Sequence, residues 1–450
     1  MQSSNIGRQA ESGERSGQII VIGGGLAGLT AAASLARRGR GVTLVEQAKH
    51  LGGRAATNVK HDVSLNLGAH ALYCGGEAFR ILNELGVTFR GGFPSQGRGQ
   101  LVDHGAGHRL PRGVANILAS GFFSLRDKWR LTRLLGSLGK LNARSLDCVA
   151  LQSWIYGHVG DGRVARFLEA MFRLTTYGNR GELESAGAAI DQMRLGFAAN
   201  VWYLDGGWQT LIEGLRAQAV GQGAEINASS RAVDVAADEA GVEVRLADGT
   251  TLHGAAAVLA TGPQEALELL GDASPAAWRK QLTELLPVKA SCLDMALEKL
   301  PDPEARFALG GDEPLYFSVH SAAAKLARDG VAVVHAMKYL GAETASAADE
   351  VQIERLVDHL QPGWRDEVIV RRTLPNMTVT HALVTASEGG LAGRPGVAVP
   401  GEPRVFLAGD WVGGRGMLAD AAVASGEEAA DCAAKLPAKV NILDKRVSYA

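Results

Sequence analysis

The sequence predicts an α/β protein, and three observations carry that prediction. Ile19–Ile22 is a short, all-apolar run rich in β-branched side chains that passes directly into a glycine turn, after which residues 29–38 repeat apolar positions at helical spacing. A second run, Val42–Val45, follows shortly and ends at an acid, Glu46. Far along the chain a third run, residues 405–408, again opens a turn, this time into a helix expected over residues 418–436. Short all-apolar strands are what a parallel sheet covered on both faces requires. The pieces are therefore expected to form one Rossmann-like domain, discontinuous in sequence, joined to a mixed α+β domain and a helical cap.

The expected division follows the same signals. Residues 18–104, 200–262 and 396–436 make the Rossmann-like domain, 105–199 the cap and 263–395 the sheet domain, with polar tails at 1–17, expected to be disordered, and 437–450. Composition narrows the function classes. Glycine takes 57 of 450 positions, about twice the usual share, yet no G-X-Y period runs anywhere and 46% of the chain is hydrophobic, which leaves a globular protein with many tight backbone positions. Lys and Arg number 46 against 48 Asp and Glu, a net charge of −2, so nucleic acid is not an expected partner. The four cysteines form no C-x-x-C pair and no metal-ligand spacing is present, so no metal is expected and a reducing cytoplasm is the default. The apolar stretch 18–36 is long enough to suggest a membrane span, but its packed glycines read better as strand, turn and helix.

The first turn is Gly23-Gly24-Gly25-Leu26-Ala27-Gly28, a G-x-G-x-x-G between strand and helix. Gly23 permits the tight turn, Gly25 lets a pyrophosphate approach the backbone, and Gly28 lets the helix pack close to the strand. The helix N-terminus, which Leu26 and Ala27 of the turn lead into, offers free N–H groups and partial positive charge to phosphate. Glu46 stands where an acid hydrogen-bonds a ribose diol. Strand, helix, spacing and acid together point to a dinucleotide.

Leu51-Gly52-Gly53-Arg54 comes next, and here the chain resembles the flavoprotein superfamily of monoamine oxidases, protoporphyrinogen oxidases and phytoene (carotenoid) desaturases, whose run GGGxAGLxAAxxLxxxGxxVxLxExxxxxGGR it follows from Gly23 to Arg54. The resemblance implies FAD as cofactor, with Gly53 in the binding run and Arg54 reaching the phosphates or the ring. It recurs at Gly409-Asp410. There it implies an aspartate near the ribityl and phosphate oxygens and a helix N-terminus, Leu418 and Ala419, aimed at the pyrimidine edge. Residues 63–70, ending in Gly68-Ala69-His70, resemble the strand beside the isoalloxazine ring, and Tyr203 to Trp208 match an aromatic-x-x-GG pattern. Residues 232–235 and 242–246 read as a hairpin, and by analogy the backbone of Ala232 or Val233 faces the adenine.

FAD chemistry makes the expected function oxidoreduction, and the substrate is the open question. Amine oxidases of the superfamily carry a tyrosine where alignment of Gly426-Glu427-Glu428-Ala429-Ala430 places Leu418, so their aromatic cage is broken here. Their N5-side lysine has Lys289 as a loose counterpart, although the register equally allows Cys292. Ala422-Val423-Ala424-Ser425-Gly426 is nearer the desaturase and squalene-pathway form, which implies dehydrogenation of a lipophilic, isoprenoid or carotenoid-like small molecule. The alternatives are amine oxidation, porphyrinogen oxidation, and a non-enzymatic role in assembly or sensing built on an FAD scaffold. His70 is the candidate catalytic group, a proton acceptor near neutral pH or a structural ring, and Thr175, Thr176 and Tyr177 are candidate lining residues.

The cap also carries a charge signal. Between positions 109 and 144 stand Arg109, Arg112, Arg126, Lys128, Arg130, Arg133, Lys140 and Arg144 against Asp127 alone. Ser124 and Asp127 form a capping box, and Leu125, Trp129, Leu131, Leu134, Leu135, Leu138 and Leu141 make an apolar stripe. Such a helix is either a cap helix with solvated arginines or a peripheral contact with the inner face of a membrane.

Overall fold

The apolar runs of the sequence become the central strands of one sheet. The computed structural model describes residues 17–437 apart from 96, 112, 272 and 273, so the two expected tails, but for Gly17 and Pro437, and Arg112 lie outside the described residues. The sheet order is Glu225–Asn227, Val42–Val45, Ile19–Ile22, Ala256–Leu259, Glu402–Leu407 and Ala398–Val399, parallel throughout except for the last pair. Ile19, Ile20, Val21, Leu44 and Val258 are buried because helices cover the sheet. The first helix, Leu26–Arg37, begins three residues before the apolar repeat suggested, since Gly28 in its first turn interrupts the pattern. The last helix, Leu418–Ala434, crosses it closely: a Cβ at Gly426 would lie 2.4 Å from the Ala27 carbonyl oxygen.

A second sheet of seven strands stands beside the first. Its order is Val368–Thr380, Val288–Leu297, Ala332–Tyr339, Leu315–Val319, Phe307–Gly310, Gln100–Asp103 and Ala106–Arg109. The last strand corrects the expected helical cap of 105–199. Ala106–Arg109 turns back through His104 and Gly105, both at positive φ, and pairs antiparallel with Gln100–Asp103. Its sequence AGHR has no apolar alternation and gave no strand signal. The strand expected over residues 63–70 is also shorter, ending at Asn66, because the chain turns at Gly68 with φ +77°. The hairpin after position 232 gains a third strand, Thr251–Gly254.

From Val114–Ala119 to Ala186–Ala199 the chain is helical. The helix Leu125–Leu138 has the expected box, with Ser124 Oγ accepting from the Asp127 N–H and Asp127 Oδ2 from the Ser124 N–H. Its apolar stripe divides. Leu131, Leu134 and Leu138 are buried, whereas Leu125 is 86% and Trp129 62% exposed. Val114 and Leu118 of the preceding helix are 46% and 55% exposed. Among the described residues no helix is long and apolar enough to cross a membrane.

Candidate active site

Four neighbouring parallel strands end at one cavity of about 680 Å3. Ile22 leads to Gly23, Val45 to Glu46, Leu259 to Ala260 and Leu407 to Gly409, and Gly23, Glu46, Ala260 and Gly409 all line it. Carboxyl ends of parallel strands are where open α/β sheets bind ligands.

The glycines of the first turn do different work. Gly23, at φ +110°, would place a Cβ 2.5 Å from the Ala260 oxygen, and Gly28 would place one 1.9 Å from the Gly23 oxygen. Both therefore serve the packing of the chain on itself, and Gly28 does not line the cavity. Gly25 does line it, and a Cβ there would meet nothing nearer than the Gly52 oxygen at 4.0 Å. The missing side chain leaves backbone facing open space at the N-terminus of the first helix, with Leu26 and Ala27 beside it, a shape and polarity suited to a pyrophosphate. Glu46 accepts from the Gly24 N–H at 2.6 Å and the Ala48 N–H at 2.7 Å, which fixes its carboxylate at the cavity edge, where Arg231, Ala232 and Val233 also stand.

Arg54 and Asp410, from motifs at opposite ends of the chain, meet. Arg54 Nη1 lies 2.6 Å from Asp410 Oδ2 and also donates to the Val379 carbonyl at 2.9 Å. His381 adds its backbone N–H and Nδ1 to the same carboxylate at 3.2 and 3.1 Å. Burial alone would raise the Asp410 pKa, but the Arg54 guanidinium and His381 outweigh it and hold the carboxyl well below the usual range. Gly53 lines the cavity beside them.

At the far end the wall is mostly apolar: Leu67, Ala69, His70, Tyr73, Tyr177, Trp208, Met377, Leu418 and Ala419. Gly68 stands behind it, and a Cβ there would be 3.1 Å from Cys292 Sγ. Cys292 rather than Lys289 is thus the strand residue packed against this turn; Lys289 lines a separate small cavity. His70 packs edge-on to Trp208 at 4.9 Å, and burial pushes its pKa down to about 4, which makes the ring neutral at physiological pH. Thr175 and Thr176 do not line the cavity, since their hydroxyls turn back onto carbonyls of their own helix; Tyr177 does, donating to the Ala69 carbonyl at 3.1 Å. Tyr177 and Leu418 are both left-handed, with φ +61° and +55°, so two non-glycine residues at this wall hold strained backbone. The wall residues missed from the sequence, Met377, Thr378, Val379 and His381, lie at the end of a long strand and belong to no motif.

This arrangement defines a dinucleotide-binding site of the flavoprotein type. The chain belongs to the family of flavin containing amine oxidoreductases, whose pattern matches residues 26–292, and FAD is the cofactor of that family's fold. It is 27% identical to a coproporphyrinogen III oxidase of Propionibacterium freudenreichii over 34% of this chain and 30% of that one. It is 29% identical to protoporphyrinogen oxidase 2 of Arabidopsis thaliana over 27% of this chain and 24% of that one. The chain thus spans less than a third of the length of the curated relatives it matches. A solved putrescine oxidase superposes with a TM-score of 0.72 at 16% identity, over 92% of this chain and 98% of that one, a likeness of fold alone.

Proposed function

We propose that the protein dehydrogenates a lipophilic, isoprenoid- or carotenoid-like small molecule. The observation that carries this reading is the wall at the far end of the cavity. It is lined by Leu67, Ala69, Tyr73, Tyr177, Trp208 and Met377, has Leu418 in place of an aromatic cage residue, and among the described residues there none is Lys or Arg. A porphyrinogen carries carboxylates, which call for cations, and the aromatic cage that holds an amine lacks its member at Leu418.

Bound FAD would supply the acceptor for a hydride taken from a C–H bond. Gly25, Leu26, Ala27 and Gly53 would hold its pyrophosphate through backbone N–H groups, Glu46 its ribose, and the backbone of Ala232 and Val233 its adenine. Gly409 and Asp410 would face the ribityl chain with Arg54, while the N–H groups of Leu418 and Ala419 would face the pyrimidine edge. Ala69 and Tyr177 would exclude water from the ring, and neutral His70 would accept the proton that leaves the atom next to the oxidised carbon.

A second reading, porphyrinogen oxidation, is favoured by the names of both curated relatives. Anaerobic mixing with a polyene or terpenoid, a porphyrinogen and a primary amine separates the three. Bleaching of the flavin band by the polyene or terpenoid alone is expected; bleaching by the porphyrinogen or the amine alone would overturn the proposal.

The exposed side chains Val114, Leu118, Leu125 and Trp129, set among Arg126, Lys128 and Arg133, support peripheral docking on an anionic lipid surface from which such a substrate would come. Co-sedimentation with anionic liposomes at low salt, lost on Leu125→Glu with Trp129→Glu, is the expected result. No binding by the unaltered protein would remove this part of the proposal.

A further inference from the structure

Under the turn Gly68-Ala69-His70 lies a polar cluster that the reading above leaves idle. Asp294, on the strand Val288–Leu297, is fully buried with both oxygens engaged. Oδ2 accepts from Arg372 Nη2 at 2.6 Å and from the Gly68 N–H at 3.2 Å; Oδ1 pairs with His335 Nδ1 at 2.6 Å. Arg372 also donates to the Asn66 carbonyl. Carboxylate and guanidinium cancel in charge directly behind the cavity wall.

The imidazole is what remains unsettled. A carboxylate on Nδ1 holds the proton there, which leaves Nε2 of a neutral ring with a free lone pair. His335 Nε2 is buried and has no hydrogen-bond partner among the described residues. His320, whose ring centre is 4.4 Å away, likewise has a buried Nε2 without a partner. A buried nitrogen without a partner is costly and calls for a reason. The groups facing it are few: Asp294 and Cys292 on one strand, Arg372 on the next, Ser318 and Tyr316 on the other side, Tyr203 stacked on His320 at 3.8 Å, and His70 at the cavity. Asp294 is the acid among them, and its charge is already shared.

Electrons delivered to a ring beside Ala69 and His70 would place negative charge in a low-dielectric site, where a compensating proton nearby is strongly favoured. We propose that the Asp294–His335 pair takes up one proton when the flavin in the adjacent cavity is reduced; this rests on the placement of the ring end given above. In turnover, the substrate loses hydride from carbon, which carries two electrons and one proton to the flavin, and a second proton from the neighbouring atom. That second proton ends on His335 Nε2, and the resulting imidazolium is flanked by the Asp294 carboxylate. The electron pair left by that proton forms the new double bond of the product. Asp294 is in this sense a positioning residue for His335.

The test is the midpoint potential of the flavin in the holoprotein, followed spectroelectrochemically from about pH 7 to about pH 8.5, above the ordinary histidine range. One proton per two electrons changes the reduction equilibrium tenfold per pH unit, or about 30 mV, and two protons change it a hundredfold, or about 60 mV. The unaltered protein is expected to approach the steeper slope, and His335→Gln and Asp294→Asn the shallower one. A slope of about 30 mV in the unaltered protein would overturn the proposal without any variant, as would a steep slope that survives in both. Flavin content, read from the visible absorbance of the same samples, separates failure of the cofactor placement from failure of the proton uptake.

Discussion

Gly25 and Gly28 belong to one turn and are expected to fail in opposite ways. A Cβ at Gly28 would be driven to 1.9 Å from a backbone oxygen, which no rotamer change relieves. Gly28→Ala should therefore lose on the order of 3 kcal/mol or more and fail to accumulate as folded protein. At Gly25, φ is −81° and the nearest protein atom is 4.0 Å off, so alanine fits the apoprotein but protrudes toward the pyrophosphate. Gly25→Ala should leave the apoprotein's melting temperature unchanged while weakening FAD binding at least roughly tenfold, about 1.4 kcal/mol, in a fluorescence titration. Equal loss of stability in both variants would count against this division of labour. The turn was legible in the sequence because strand, glycines and helix are contiguous. The Asp294–His335–Arg372 cluster was not, since its members come from three strands with no spacing in common, and only folding brings them together. The choice between Lys289 and Cys292 was illegible for a related reason: a register is set by partner strands that no local pattern reveals.

At the scale of elements, the strands that feed the cavity announced themselves through β-branched apolar runs, while Ala106–Arg109 was hidden by having none. The cap helix announced its box and concealed its orientation, because an apolar stripe does not say which of its residues the neighbours cover. The last helix carries a testable consequence of where it docks. Asp420, in its first turn, is buried and accepts from the Ala78 N–H at 2.8 Å at the start of Glu77–Glu84. Burial raises its pKa to about 7, ahead of the opposing pull of that hydrogen bond. A carboxyl whose pKa is higher folded than unfolded favours the fold fully below its unfolded pKa, and this contribution is lost as pH rises through about 7. Asp420→Asn keeps the acceptor and removes the charge. Relative to the unaltered apoprotein, the variant should gain stability as pH rises from about 4 to about 8, on the order of a few kcal/mol, in denaturant titrations. A difference that stays flat with pH would show that Asp420 is not buried as a neutral acid.

At the scale of the molecule, the architecture was legible from two motifs at opposite ends of the chain, but the substrate wall was not, because it is drawn from loops and strand ends that carry no common pattern. The two sheets are tied where the cofactor would lie. Arg54 bridges Asp410, beyond the end of the parallel sheet, to the Val379 carbonyl in the seven-stranded sheet, and His381 binds the same carboxylate. A ligand resting on Gly25, Glu46, Gly409 and Tyr177 would contact segments from nearly the whole length of the chain. FAD binding should therefore stabilise both sheets as one unit rather than the parallel sheet alone. At about a hundred times its dissociation constant FAD should add roughly 2.7 kcal/mol and raise the melting temperature by a few degrees, growing with the logarithm of concentration. Arg54→Ala removes the bridge and leaves a buried carboxylate held by His381 alone, so it should lower the apoprotein's melting temperature and weaken the coupling. Calorimetry distinguishes the outcomes: a single transition that moves as a whole with FAD supports the bridge, and two transitions of which only one responds would show that the sheets unfold independently.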